Sequence, residues 1–194
     1  MFDQQSYSDA QFKQLDGTQA KIKGIEFYDC TFTGCRFVEA EFHSGKFIDC
    51  TFKGCDLSLA SVLDSTFNDA AFVKCNVMGI NWTEAQWGMM AGIRFEESTL
   101  NHGTFFGISL TRCSFTGSII RNVDFAEANL TGVDCRKSDF EESRFHHTDL
   151  TQADFTGAQN YMIDATTNTL KKTKFSLPAA MALLRSLDIV LVEE

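Results

Sequence analysis

A chain of 194 residues with 26 acidic and 17 basic side chains carries a formal charge of −9, so phosphates would be repelled and a basic protein surface is a better partner than nucleic acid. A single Pro leaves no room for a Pro-rich linker, and 19 Phe against two Trp and three Tyr mean that one structural slot keeps asking for Phe. No run of about 18 apolar residues occurs, which speaks against a membrane-spanning helix.

The first residues, MFDQQSYSDAQFKQ, hold neither a basic nor an apolar targeting region, so the sequence reads as cytoplasmic and soluble, with its seven cysteines reduced. Phe2, Tyr7 and Phe12 are already five apart, but Gly17 breaks the phase. Residues 1–19 therefore read as a segment that caps the open edge of the regular stack beginning at residue 20.

From Ile22 an apolar residue recurs at every fifth position, through Phe27, Phe32 and Phe37 as far as Trp87. A step of five is neither the 3.6 of a helix nor the 2 of a strand, so neither is the main architecture. Two residues before each centre stands a compact residue, as at Cys30, Cys35, Ala40, Cys50 and Cys55. Both positions must point inward, one large and one small. The residue just before the centre is often Asp or Asn, as at Asp56, Asn76, Asp124 and Asp149, which suits side-chain bonding to a turning backbone. Each unit is thus one short side and a corner. The stretch FYDCTFTGC at 27–35 returns as FIDCTFKGC at 47–55, an offset of 20 residues or four units. A four-sided coil stacked on itself would put residues 20 apart about 4.8 Å from one another, with Phe27, Phe47 and Phe67 in one interior column.

Between Trp87 and Phe95 the step is eight, so residues 88–92 should form a bulge or loop. One reading is a tolerated insertion at a corner. The other is a projecting contact patch of Trp82, Trp87, Met89 and Met90, residue types that are adaptable and contact-rich. The step of five resumes at Phe95 and runs to Phe155, making 27 centres in all and close to seven coils. The repeat domain is accordingly read as residues 20–159.

Residues 160–194 read as a connector, a helix and a dimerisation tail. Lys171, Lys172 and Lys174 form a local basic cluster, and Ser176-Leu177-Pro178 announces a helix over 178–187. That helix is apolar around much of its circumference, so one face can cap the open end while the other meets a second copy. Met181, Leu183, Leu184, Leu187 and Ile189 are the candidate dimer interface, with a β-like run at 189–192 beyond.

A compact residue, Asp or Asn, Leu or Phe, then two polar residues, as in AEANL-TGVDC and TQADF-TG, is similar to the signature of the pentapeptide repeat family. The resemblance implies an all-β, right-handed quadrilateral β-helix with a short C-terminal α-helix. It also points to the quinolone-resistance (Qnr-like) members, which end in a similar helix that pairs two molecules head to head. What that implies is a non-catalytic acidic rod that mimics DNA and binds DNA gyrase or topoisomerase IV, inhibiting it or shielding it from quinolones. The chain departs from many Qnr-like members in lacking long projecting loops. The competing reading is an interaction scaffold or immunity-type protein with an unrelated protein partner.

No phosphate-cradling Gly loop, Ser nucleophile elbow or HExxH pair occurs, and carboxylates on convex faces do not make a catalytic pocket, so no enzyme and no cofactor is expected. Six cysteines fall on the compact inward slot and Cys135 on a central one, which reads as packing in place of metal ligation. His146 and His147 adjoin on outward positions, where neighbouring side chains should diverge. Asp29, Asp49 and Asp69, 20 residues apart, form a three-rung acidic ladder and are the candidate partner-binding charges. A DNA mimic must bind more weakly as salt rises, whereas a patch centred on Trp82 and Trp87 must not.

Overall fold

The structure, a computed structural model, describes residues 1–88, 92–187 and 189. A five-residue unit is spent on a three-residue strand and a two-residue corner. Glu26–Tyr28 and Thr31–Thr33 are typical strands, each with its middle residue buried and its flanks outward. The residue two after most centres turns the chain with a left-handed backbone, as at Asp29, Glu39, Asp49 and Gly54, whose φ lies between 51° and 58°. Asp and Gly suit that region, Gly because it has no Cβ and Asp because its short polar side chain tolerates it. The next residue is the compact inward one, and a new side then begins at right angles.

Successive coils pair as parallel strands in register. Phe27 lies opposite Phe47 and Phe47 opposite Phe67, while Phe12, Phe32, Phe52 and Phe72 align on the next side. Within a column the rings stack, with centroids 4.6 Å apart and planes 7° apart for Phe32 and Phe52. Between neighbouring columns they meet edge-on, as Phe27 and Phe32 do at 5.3 Å and 73°. Both geometries favour the ring quadrupole, which explains the demand for Phe at a slot that Leu would also fill. Beyond the insertion the offset becomes 23, with Phe72 opposite Phe95 and Asn76 opposite Thr99, and afterwards returns to 20.

The coil continues past the last regular unit. Lys174–Phe175 pairs with Asp154–Phe155, and the chain makes about eight turns. Between them the five-residue step lapses: Tyr161 and Ile163 are buried instead of residues 160 and 165. At the other end Ser6–Ser8 and Gln11–Lys13 pair with the coil above them, so the opening segment is built as strands and corners like the rest. Gly17 occupies a central slot there; a Cβ would stand 2.7 Å from the Phe37 ring, which takes its place.

The compact inward slot also bonds. Along one column Cys35 N–H donates to Cys55 Sγ, Cys55 N–H to Cys75 Sγ, Cys75 N–H to Ser98 Oγ, Ser98 N–H to Ser118 Oγ and Ser118 N–H to Ser138 Oγ. Each thiol or hydroxyl in turn donates to a carbonyl of the coil below, Cys75 to Phe52 and Ser118 to Phe95 among them.

The expected C-terminal helix is present at Ala179–Leu187, wound more tightly than an α-helix, with 3-10 geometry. Ala179, Ala182 and Leu183 pack against the core, and Ser186 Oγ accepts from the Ala165 N–H. No helix among the described residues is long and apolar enough to cross a membrane.

Candidate interaction surfaces

Asp29, Asp49 and Asp69 do lie on one edge of the rod, at successive turns of the same corner, and Asp9 adds a fourth rung with the same left-handed backbone. Asp29 and Asp49 are exposed; Asp69 is half-buried, with its carboxylate 3.5 Å from Arg112. Arg112 takes the equivalent corner two coils on, so the acidic edge ends there.

The acids placed just before the centres behave differently. Asp134, Asp149 and Asp154 each accept a hydrogen bond from the backbone N–H two residues on. For Asp134 the Arg136 guanidinium, and for Asp149 the Thr151 hydroxyl and N–H, hold the carboxyl below the usual carboxylate range. These side chains are occupied with shaping corners.

Trp82 is not a surface residue. It fills a central slot at 1% exposure and stacks on Phe105 at 5.8 Å and 6°, so the five-residue step, which assigned it inward, overrides its contact-prone chemistry. Trp87 is half-buried, with its ring N–H donating to the Trp82 carbonyl at 2.7 Å. Met89 and Met90 lie outside the described residues.

Of the dimer candidates, Met181, Leu187 and Ile189 are exposed, whereas Leu183 and Leu184 are half-buried. Met162 and Leu177, which the sequence did not single out, are 68% and 78% exposed beside them. Met162, Leu177 and Met181 line an open groove of about 910 Å³ between the helix and the last coil, with Glu141, Glu142 and Tyr161 also in its wall. The Tyr161 hydroxyl is buried without a hydrogen-bond partner among the described residues, and burial pushes its pKa up.

All seven cysteines are buried free thiols, and burial pushes Cys50 and Cys113 up to about 12. His146 and His147 do not diverge: their rings lie 4.0 Å apart, because His147 sits on a left-handed corner that turns it back. No group of three His, Cys, Asp or Glu side chains among the described residues could hold a metal ion.

The register, the corner geometry and the two inward slots repeat through the rod, and two family profiles match the same stretches. The pentapeptide repeat region matches residues 25–106, and pentapeptide repeats in eight copies match residues 118–157. The chain belongs to the pentapeptide repeat family. Among solved pentapeptide-repeat structures it superimposes on QnrB1, a plasmid-mediated fluoroquinolone resistance protein. A trypsin-treated variant of QnrB1 gives a TM-score of 0.66 at 22% identity, over 97% of this chain and 92% of that one. Full-length QnrB1 gives 0.59 at 18%, over 95% and 100%. At these identities the likeness is one of fold. No curated protein matches the sequence at a significant level. As a pentapeptide-repeat rod, the molecule presents outer faces and corners whose side chains the core leaves free.

Proposed function

We propose that this pentapeptide-repeat protein is a non-catalytic binding module that mimics DNA: its acidic edge enters the basic DNA-binding groove of a type II topoisomerase, DNA gyrase or topoisomerase IV, and alters the enzyme or its response to quinolones. The observation that carries this reading is the edge of Asp9, Asp29, Asp49 and Asp69, repeating at the strand spacing of about 4.8 Å along a rod built like QnrB1. In the same reading two rods join head to head through Met181, Leu187 and Ile189, which lengthens the mimic. The filled interior supports a role without catalysis, because aromatic columns occupy the space in which a reaction site would have to open.

The test is a gyrase supercoiling assay with and without a fluoroquinolone, beside an acidic control protein of matched charge. Inhibition or drug relief at about micromolar concentration, weakened by salt and lost in the Asp29→Asn, Asp49→Asn, Asp69→Asn triple variant, is the expected outcome. Equal behaviour of the control protein, or an unchanged triple variant, would reject it.

A further inference from the structure

One flat side of the rod, whose inner centres run from Ile22 through Trp82 to Phe145, carries two large apolar side chains at the same outward position, two coils apart. Its outward positions carry Leu63 and Phe106, 41% and 45% exposed, where other sides place Thr33, Lys53 or Thr116. At its margin Leu59 is 54% exposed and lies across Gly79 of the next coil, where a Cβ would come within 2.5 Å of the Leu59 Cδ2. The opposite margin is a corner bearing Asp64, Glu84 and Glu127. Asp64 accepts from the Gln86 amide and Glu84 from the Asn81 amide, neutral donors that leave both charges in place. None of these three acids takes part in an ion pair among the described residues. Between Lys23 and Arg144 the outward and corner positions of this side hold no Lys or Arg.

We propose that this side is a docking surface for a basic amphipathic α-helix of a partner protein. Leu63 and Phe106 are two coils apart, about 9.6 Å at the strand spacing. A helix lying along the rod repeats its apolar stripe every seven residues, about 10.5 Å. The acids stand one coil and then two coils apart, so they meet Lys or Arg on the adjoining stripe of the same helix, one turn being about 5.4 Å. A second copy of this chain does not supply the occupant, because its Ala179–Leu187 helix carries a single Arg and packs Leu183 against its own core. The surface lies one side away from the Asp9 to Asp69 edge, so its test is independent of the topoisomerase reading.

The probe is a labelled synthetic peptide helix with Leu seven residues apart and Lys or Arg on the adjoining stripe, titrated with the full chain by fluorescence anisotropy. The control is a peptide of the same composition with the stripes scrambled. Phe106→Thr and Leu63→Thr are expected to fold normally, since Thr83 already occupies the equivalent position between them, and to lower affinity about tenfold or more. Asp64→Asn with Glu84→Gln is expected to weaken binding and flatten its salt dependence. Absence of binding, equal binding of the scrambled peptide, or wild-type affinity of Phe106→Thr would each overturn the proposal. So would a loss of binding in Asp29→Asn in place of Phe106→Thr, which would move the helix to the other edge.

Discussion

Cys in the first half of one inward column and Ser in the second put the same pair of bonds in the same place, accepting from one coil's N–H and donating to a carbonyl of another. Size alone therefore does not define this slot. Ser118→Ala strips a partner from the Ser98 N–H and the Phe95 carbonyl, both inside the rod, and should cost about 1–3 kcal/mol, read as a lower urea midpoint. Cys75→Ser should cost far less, because the hydroxyl keeps both bonds. With their thiols buried and two of them pushed up to about 12, the seven cysteines should resist a thiol reagent at about pH 8 in the native protein and react together on unfolding, which a colorimetric titration would show. The corner acids set the response to acid. Asp134 and Asp149 have folded-state pKa values below the ordinary Asp value of about 3.9. Their contribution is complete above that value and is lost as pH falls through the depressed one, so the melting temperature should drop on acidification below about pH 4. Asp149→Asn keeps an acceptor for the Thr151 N–H, as Asn129 does for Thr131, and should reduce that drop.

Sides and corners were legible in the sequence because a slot filled 27 times leaves little ambiguity, and the 20-residue echo of FYDCTFTGC set the number of sides. Where single residues served two physical demands the reading was less secure. Asp29, Asp49 and Asp69 look like a charge pattern, yet each also satisfies a left-handed corner that favours Asp, and Asp9 went unnoticed because Gly17 interrupts the series between them. Trp82 was given two roles by its position and its chemistry, and position decided. The final coil was hidden because residues 160 and 165 are unsuited to the centre, although Leu170 and Phe175 resume 20 residues after Leu150 and Phe155. The helix that closes this end supplies its own test. If it joins two rods, Met181→Asp with Leu187→Asp should halve the mass found by sedimentation while leaving the melting temperature of the rod nearly unchanged, since both side chains are exposed. By contrast Phe52→Ala removes a ring stacked on both sides within its column and should cost about 3–5 kcal/mol.

At the scale of the molecule, each coil covers the backbone edge of its neighbour and hands the next coil an edge of the same kind, so cohesion is local and repeats along the axis. The insertion between Trp87 and Phe95 shows that three residues can be added to a circuit while Phe72 and Phe95 still pair. The interior and the exterior, however, are written in different reading frames. The interior repeats every five residues, because every side has the same two inward slots; the exterior repeats only every 20, because only a full circuit brings a side chain back over the one below. Slipping one extra five-residue unit between Asp49 and Asp69 would leave every aromatic ring with a column to join, and yet carry everything beyond it a quarter of the way round the axis. A full 20-residue duplication would lengthen the rod by one coil and leave every outer stripe straight. This family can therefore change its length in whole circuits without touching what its surface says, while a single-unit slip rewrites the surface and spares the fold.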